Sequence, residues 1–381
     1  MKRIVAYSFL AYTITMLVVF AILPTRVISE SERRKLAKKP KLTFSAVVDK
    51  SYTDNFEKYI TDHFPFRDTF RRIKAIWSYN IINQIENNNI YVTDGYASKL
   101  EYPLNENSVL KFADKINSLK EEYFDDHNVY YSVVPDKNYF LAYKRGYPSI
   151  DYEKMLKMLN EHIADDIYYI DIFPTLTIED YYRTDTHWKQ EGIFDTAALL
   201  LDGLDSSKVH KILTDSDHNV EKNAIEDFFG VYCGQSALSL KPDVINYYTD
   251  SVIASAQVWT LDTGEKREIY RIDKLDEGVE FSEGADLKNI SLDKYDVFLG
   301  GSATIQKITN PVSDTGKRLI IFRDSFGSSI APLLVHEYNE IILVDIRYIS
   351  SKLLGDYVDF KDADVLFLYS TPVINSSSML K

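Results

Sequence analysis

Asp185 and His187 stand two residues apart in YYRTDTHWKQEG (181–192), and Ser325 lies in RDSFG (323–327). These are the residue types that acyl transfer at a serine requires. A hydroxyl is a poor nucleophile until an imidazole takes its proton, and the imidazole needs a carboxylate to fix its tautomer. Residues i and i+2 of an extended turn point the same way. Asp185 can therefore accept from His187 Nδ1 while Nε2 faces a serine. Taken singly, each residue has an ordinary structural role, Ser325 as a helix N-cap and His187 as a hydrogen-bonded core histidine. Chemistry depends on whether the fold brings them to one place.

The chain offers five short, nearly continuous apolar runs: VYYSVVP (129–135), IYYIDIF (167–173), RLIIFR (318–323), EIILVDI (340–346) and DVLFLYS (364–370). Such runs suit strands covered on both faces, as in a parallel sheet. Helical patterns at 151–165, 189–204 and 327–338 separate most of them, which is the alternation of an α/β layer fold. In open parallel sheets functional groups gather beyond the carboxyl ends of the strands. Asp136, Lys137 and Asn138 follow the first run, and Asp185 and His187 lie in the loop beyond the second. The third is followed by Asp324, Ser325, Phe326 and Gly327, the fourth by Arg347 and Tyr348, and the fifth ends at Tyr369, Ser370 and Thr371. All five sets fall on one edge. A serine at a strand-to-helix turn also has backbone N–H groups and a helix N-terminus beside it, which suit a developing oxyanion.

Composition narrows the alternatives. A chain of 381 residues, 45% hydrophobic and 27% charged, is an ordinary globular one with room for two domains or one large domain with insertions. A net charge of −13 argues against a nucleic-acid surface. The single cysteine, Cys233, excludes an internal disulfide and a thiolate metal cluster. The sequence contains neither a Gly-rich phosphate loop nor a dinucleotide fingerprint, so no cofactor and no metal are expected. Glu161-His162 lacks the second histidine of a zinc-protease helix. Asp215, Asp217 and His218 read as a solvated acidic loop, and Asp62-His63 as a packing or capping pair. The 28 tyrosines suit stacking on sugar rings, though most must be structural.

Five segments follow from the pattern. Residues 1–25 contain an uncharged run, 4–23, which as a helix spans roughly 30 Å, the thickness of a bilayer core. Without a clear cleavage site it reads as an uncleaved signal anchor. Lys2 and Arg3 precede it, whereas Arg26, Arg33, Arg34, Lys35, Lys38, Lys39 and Lys41 follow it. A plain positive-inside count would keep the large domain in the cytoplasm. Large domains translocate largely regardless of charge, and an extracytoplasmic domain is the expectation. Residues 26–100 read as a basic stalk, an amphipathic helical stretch with Phe56, Ile60, Phe64, Phe70, Ile73 and Ile76 at helical spacing, and a hairpin turning at Asp94-Gly95. Residues 101–204 and 296–381 supply the sheet. The acidic stretch 205–295 reads as an insertion with β character.

RDSFG resembles the nucleophile block of SGNH/GDSL esterases, and DTHWKQEG resembles their final Asp-x-His block. ADVLFLYST is similar to the strand that ordinarily carries their Gly-x-Asn-Asp block. Here the histidine block precedes the serine block, an order that resembles the circularly permuted SGNH-like domains of alginate O-acetyltransferase proteins and of the bacterial DHHW family. The N-terminal anchor, SESERRKLAKKP, VVPDKNYF, TDTHW, RDSFGSSIAPLL and VDIRY are all similar to that last family. The resemblance implies a three-layer α/β/α fold with Ser325 as nucleophile, His187 as base and Asp185 as its partner. Thr186 stands where the name-giving motif has its first histidine, and YSTPVIN stands in place of Gly-x-Asn-Asp. The Ser325 and Gly327 N–H groups, with Arg347 or Ser370, are therefore the expected oxyanion donors. Lys137, Asn138 and Trp188 are the expected substrate contacts. The resemblance further implies acetyl transfer to an extracellular polysaccharide, with a membrane-bound O-acyltransferase as the donor's source. A carbohydrate acetyl-esterase, or a non-catalytic glycan-binding or assembly protein, is compatible with the same residues.

Overall fold

The five apolar runs pair side by side, because each can be covered on both faces only inside a common sheet. Arg318–Arg323 lies between Glu340–Val344 and Ala363–Ser370, and Val129–Val134 and Ile167–Tyr169 follow beyond the latter, all parallel. On the other side, Ile305–Thr309, Gln257–Thr260 and Lys266–Glu268 add antiparallel strands and bring the sheet to eight. Two of these last three come from the stretch read as an insertion. The computed structural model describes residues 2–29, 31–125, 127–204, 220–238, 240–272, 292–313 and 315–381. Asp215, Asp217 and His218 lie outside the described residues.

Alternation along the central strand assigns the layers. Leu319 and Ile321 pack with Leu200, Leu201, Ile330 and Leu333 of the helices Phe194–Leu204 and Gly327–Leu334. Ile320 and Phe322 pack on the opposite side with Phe112, Ile116, Met155 and Leu159 of Glu106–Tyr123 and Tyr152–His162. Each fully buried side chain of this kind contributes about 1.5–3 kcal/mol. The result is a mostly parallel three-layer α/β/α sandwich.

Local chemistry trims the predicted elements. Pairing of the second run stops at Tyr169, and Phe173–Thr175 forms a 3₁₀ turn, since Pro174 can donate no ladder hydrogen bond. The helix expected from 189 becomes regular at Phe194. Before it, Gln190–Gly192 is a 3₁₀ turn so close to Asp180 that a Cβ on Gly192 would lie 2.7 Å from Asp180 Cβ. Asp94 and Gly95 take the positive φ values, 51° and 84°, that a tight hairpin between Ile90–Thr93 and Tyr96–Lys99 needs.

At the N-terminus, Lys2–Ile22 is one helix whose stretch Arg3–Ile22 is long and apolar enough to cross a membrane, and none of it is buried against the protein. Some of the basic residues after it are tied into the fold. Ile28–Ser29 pairs with Arg34–Lys35, Arg34 bonds Asp62 at 2.6 Å, and Glu32 takes Arg67 at 2.5 Å and Arg71 at 3.3 Å. Of these cations Arg34 is thus consumed by the helix Ser51–Asp62, while the helix Arg67–Ile76 is tied to the same segment through Glu32.

Candidate active site

Ser325 sits in the turn between its strand and the Gly327–Leu334 helix, half-buried while its neighbours are buried. A Cβ on Gly327 would come within 2.8 Å of Arg323 Cβ, so glycine lets the helix start directly over the strand end. Asp324 fixes the turn. Its carboxylate accepts from Phe326 N at 3.0 Å, Ser370 N at 2.8 Å and Ser370 Oγ at 2.6 Å.

The other half of the site is a tight loop closed by the bridge between Tyr181 and Trp188. His187 Nε2 lies 2.7 Å from Ser325 Oγ, and His187 Nδ1 lies 2.6 Å from Asp185 Oδ1. Residues 138 positions apart in sequence thus form one hydrogen-bonded line. Burial alone would raise the pKa of Asp185. The adjacent His187 ring, then Arg33 and the Val231 N–H overcome that effect and hold the carboxyl well below its usual range. Val231 N donates to Oδ2 at 2.8 Å, and Arg33 Nη2 lies 3.4 Å from the same oxygen. The arrangement keeps a proton on Nδ1 and leaves Nε2 to accept from the serine.

Several residues support this line that sequence reasoning missed. Tyr295 stacks flat on the His187 ring, with centroids 3.9 Å apart and planes 5° from parallel. Its hydroxyl donates to Ser329 Oγ at 2.9 Å, on the serine's own helix. Asp243 grips the loop from the other side, accepting from Arg183 N, Thr184 N and Thr184 Oγ1 at 3.0, 2.8 and 2.6 Å. Gly230 N bonds Thr184 Oγ1 at 2.8 Å. Tyr295, Asp243, Gly230 and Val231 all come from the acidic stretch 205–295, which therefore builds the site as well as the sheet edge. No spacing signal marks them, because each contact joins distant parts of the chain. Arg33 was visible only as one cation among many near the anchor.

The expected oxyanion donors and substrate contacts are placed unequally. The Ser325 N–H has no hydrogen-bond acceptor among the described residues and remains available to a ligand. The Gly327 N–H turns back to Asp324 O at 3.2 Å, and both Ser370 donors are spent on Asp324. Arg347, one strand over, is clamped on Asp345 through Nε and Nη2 at 2.8 and 2.6 Å. Trp188 is fully buried, with Nε1 on Ser329 Oγ at 2.8 Å and Phe326 O at 3.2 Å. It props the histidine loop against the serine helix and presents no face to a sugar. Asn138 is likewise buried, holding Tyr91 OH, Glu101 O and Pro148 O. Lys137 points its ammonium at Tyr182 O, 2.9 Å away, and over the Tyr232 ring at 4.9 Å. Burial pushes its pKa down to about 7. Lys137 and Trp188 act on the loop's position, whereas Asn138 ties its own helix to Tyr91, Glu101 and Pro148; the polar atoms of all three already have protein partners.

The other ionisable pairs have structural partners. Asp62 accepts from Arg34 and Ala37 N, His63 Nε2 meets Ala37 O, and His162 Nδ1 meets Met158 O. Burial pushes the Cys233 thiol up to about 11, too high for a reactive thiolate.

Known structures share this architecture. A DHHW family protein from Eubacterium siraeum aligns with a TM-score of 0.58 at 20% identity, covering 77% of this chain and 95% of that one. PatB1 of Bacillus cereus, solved with a sulfonyl adduct, aligns with a TM-score of 0.56 at 17% identity, covering 75% of this chain and 95% of that one. At such identities the likeness is one of fold. No protein among the curated ones matches the chain. The DHHW protein family model matches residues 152–344, a span holding Asp185, His187 and Ser325. With that match, the chain belongs to the DHHW family.

Proposed function

We propose that this protein is a membrane-anchored, extracytoplasmic O-acetyltransferase that places acetyl groups on a cell-wall or secreted polysaccharide. The observation that carries the reading is the unbroken line from Asp185 through His187 to Ser325, with both contacts at 2.6–2.7 Å. Ser325 Oγ attacks the acyl carbonyl as its proton passes to His187 Nε2. The tetrahedral oxyanion is held by the Ser325 N–H at the start of the buried helix. When the intermediate collapses, the bond to the donor's leaving oxygen breaks and that oxygen takes the proton from His187. An acetyl-serine remains. In the second half a sugar hydroxyl gives its proton to Nε2, attacks the ester and releases Ser325 Oγ, which recovers the proton. Asp185 stays ionised throughout and stabilises the imidazolium.

In this reading residues 101–204 and 296–381 form the catalytic domain, with 205–295 inserted to hold the histidine loop. The N-terminal helix holds that domain at the membrane, and a membrane-bound O-acyltransferase supplies acetyl groups. The test uses full-length protein in detergent with an activated acetyl ester, read by mass spectrometry with and without glycan fragments. An acetyl adduct on Ser325 that glycans discharge into acetylated sugar is the expected result. Discharge into water alone would make the protein an esterase, and no adduct would remove the enzymatic reading.

Arg33 gives a separable prediction as a positioning residue. Arg33→Met removes a charge-assisted contact of about 1.5 kcal/mol, so kcat falls roughly tenfold. With one cause of the low Asp185 pKa gone, that pKa rises, and the acid side of the pH–rate profile moves to higher pH. A purely structural role would lower the rate without moving the profile.

A further inference from the structure

The helix Arg67–Ile76 and the wider turn Trp77–Ile81 that continues it are packed the wrong way round for a water-soluble surface. Ala75 and Ser78 are buried against the protein, and Arg67 and Arg71 turn inward to Glu32, Arg71 also donating to Gly234 O at 2.6 Å. The face turned away from the protein carries Phe70, Ile73, Trp77 and Ile81 at intervals of three or four residues, with Phe66 just before the helix and Ile85 just after the wider turn, and all six are exposed. Ile73, Trp77 and Ile81 retain 56, 54 and 58% of their accessible surface. A soluble helix turns such a stripe to the core and its charges to water. Here the ion pairs are inside and the apolar stripe is outside.

We propose that the helical stretch 67–81, with Phe66 before it and Ile85 after it, lies on the bilayer surface as an interfacial element, a second membrane contact beside the N-terminal span. Two features identify the bilayer as the occupant. The stripe begins where the chain leaves the span, for Tyr59 of the preceding helix packs edge-to-face on Phe20 in the last turn and a half of the N-terminal helix, centroids 6.1 Å apart. Exposed Arg72 and Lys74 flank the stripe, and exposed Lys38, Lys39 and Lys41 precede it, in a chain of net charge −13. Cations bordering an apolar face, with a tryptophan among them, match an anionic headgroup layer over acyl chains. The contact has a consequence for the site. Glu32, which holds this helix through Arg67 and Arg71, adjoins Arg33, which holds Asp185. Seating the helix on lipid sets Ser325 at a fixed height above the membrane.

The test uses the full chain, with Cys233→Ser as background, reconstituted in phosphatidylcholine vesicles containing phosphatidylglycerol. An environment-sensitive fluorophore is placed at Ile73→Cys, and at Tyr143→Cys as the solvent-exposed reference. Iodide should quench the Ile73 label at least about threefold less than the Tyr143 label, and headgroup-nitroxide lipids should quench it more. A label at Ile85→Cys should lose this shielding when Ile73→Glu and Ile81→Glu are introduced, changes at exposed positions that leave the fold intact. Equal iodide access at Ile73 and Tyr143 overturns the proposal. So does shielding that arises only after a second membrane protein is added, which would assign the face to a protein partner. Ser325→Ala should leave all of these readings unchanged, so failure of the acyl-transfer reading and failure of this contact are told apart.

Discussion

Ser325→Ala is expected to remove the acetyl adduct and to lower kcat by about 10³–10⁶, the range in which a serine nucleophile is lost to a binding site that remains. The side chain is half-buried and its Oγ has His187 Nε2 as its partner, so truncation should leave the melting temperature nearly unchanged. Asp185→Asn should lower kcat by about 10⁴ by a different route. An amide in that position can donate to Nδ1, which moves the imidazole proton to Nε2 and leaves nothing to accept from the serine. The two defects should not add, because each disables the same proton transfer. Full activity in Ser325→Ala, measured by acetyl release from an activated ester, would sink the mechanism.

Gly230→Ala should be nearly as damaging, though residue 230 carries no chemistry. A Cβ there would lie 2.4 Å from Asp185 N, from Asp185 Cβ and from Thr184 C. Two of those atoms are backbone, so a rotamer change cannot relieve the overlap and the 184–187 loop must move. A displacement of about 1 Å at a catalytic group costs on the order of 10²-fold. The fall should appear in kcat more than in KM, with about 1–3 kcal/mol of stability lost as for other overpacked sites. Gly230 N also bonds Thr184 Oγ1, and the next N–H holds Asp185, so the same shift loosens the carboxylate. Activity within threefold of wild type, with unaltered melting, would show that the loop yields without cost.

The sheet was legible because doubly covered strands must be apolar along their whole length. VYYSVVP, RLIIFR, EIILVDI and DVLFLYS carry that requirement in their composition, and helical spacing marks most of the connections. Once the strands are parallel, the polar residues at their carboxyl ends share an edge by geometry alone, and in that sense the sequence already groups Asp185, His187 and Ser325. Their separations and the roles of their neighbours belong to packing. Trp188 and Asn138 look like substrate contacts in sequence, being polar-edged residues beside a motif. Both are buried, because their polar atoms have protein partners that only the folded chain provides.

What the sequence by itself determined is local in origin: the strand and helix alternation, the apolar N-terminal run, and the order of the histidine and serine blocks. What only the tertiary structure decided is set by contacts across long stretches of chain. Tyr295 lies under His187, Asp243 and Gly230 hold the loop, and Arg33 reaches Asp185 across 152 residues. Such contacts leave no periodicity, because a periodic pattern records which face of one element is covered. It does not record which distant side chain covers it.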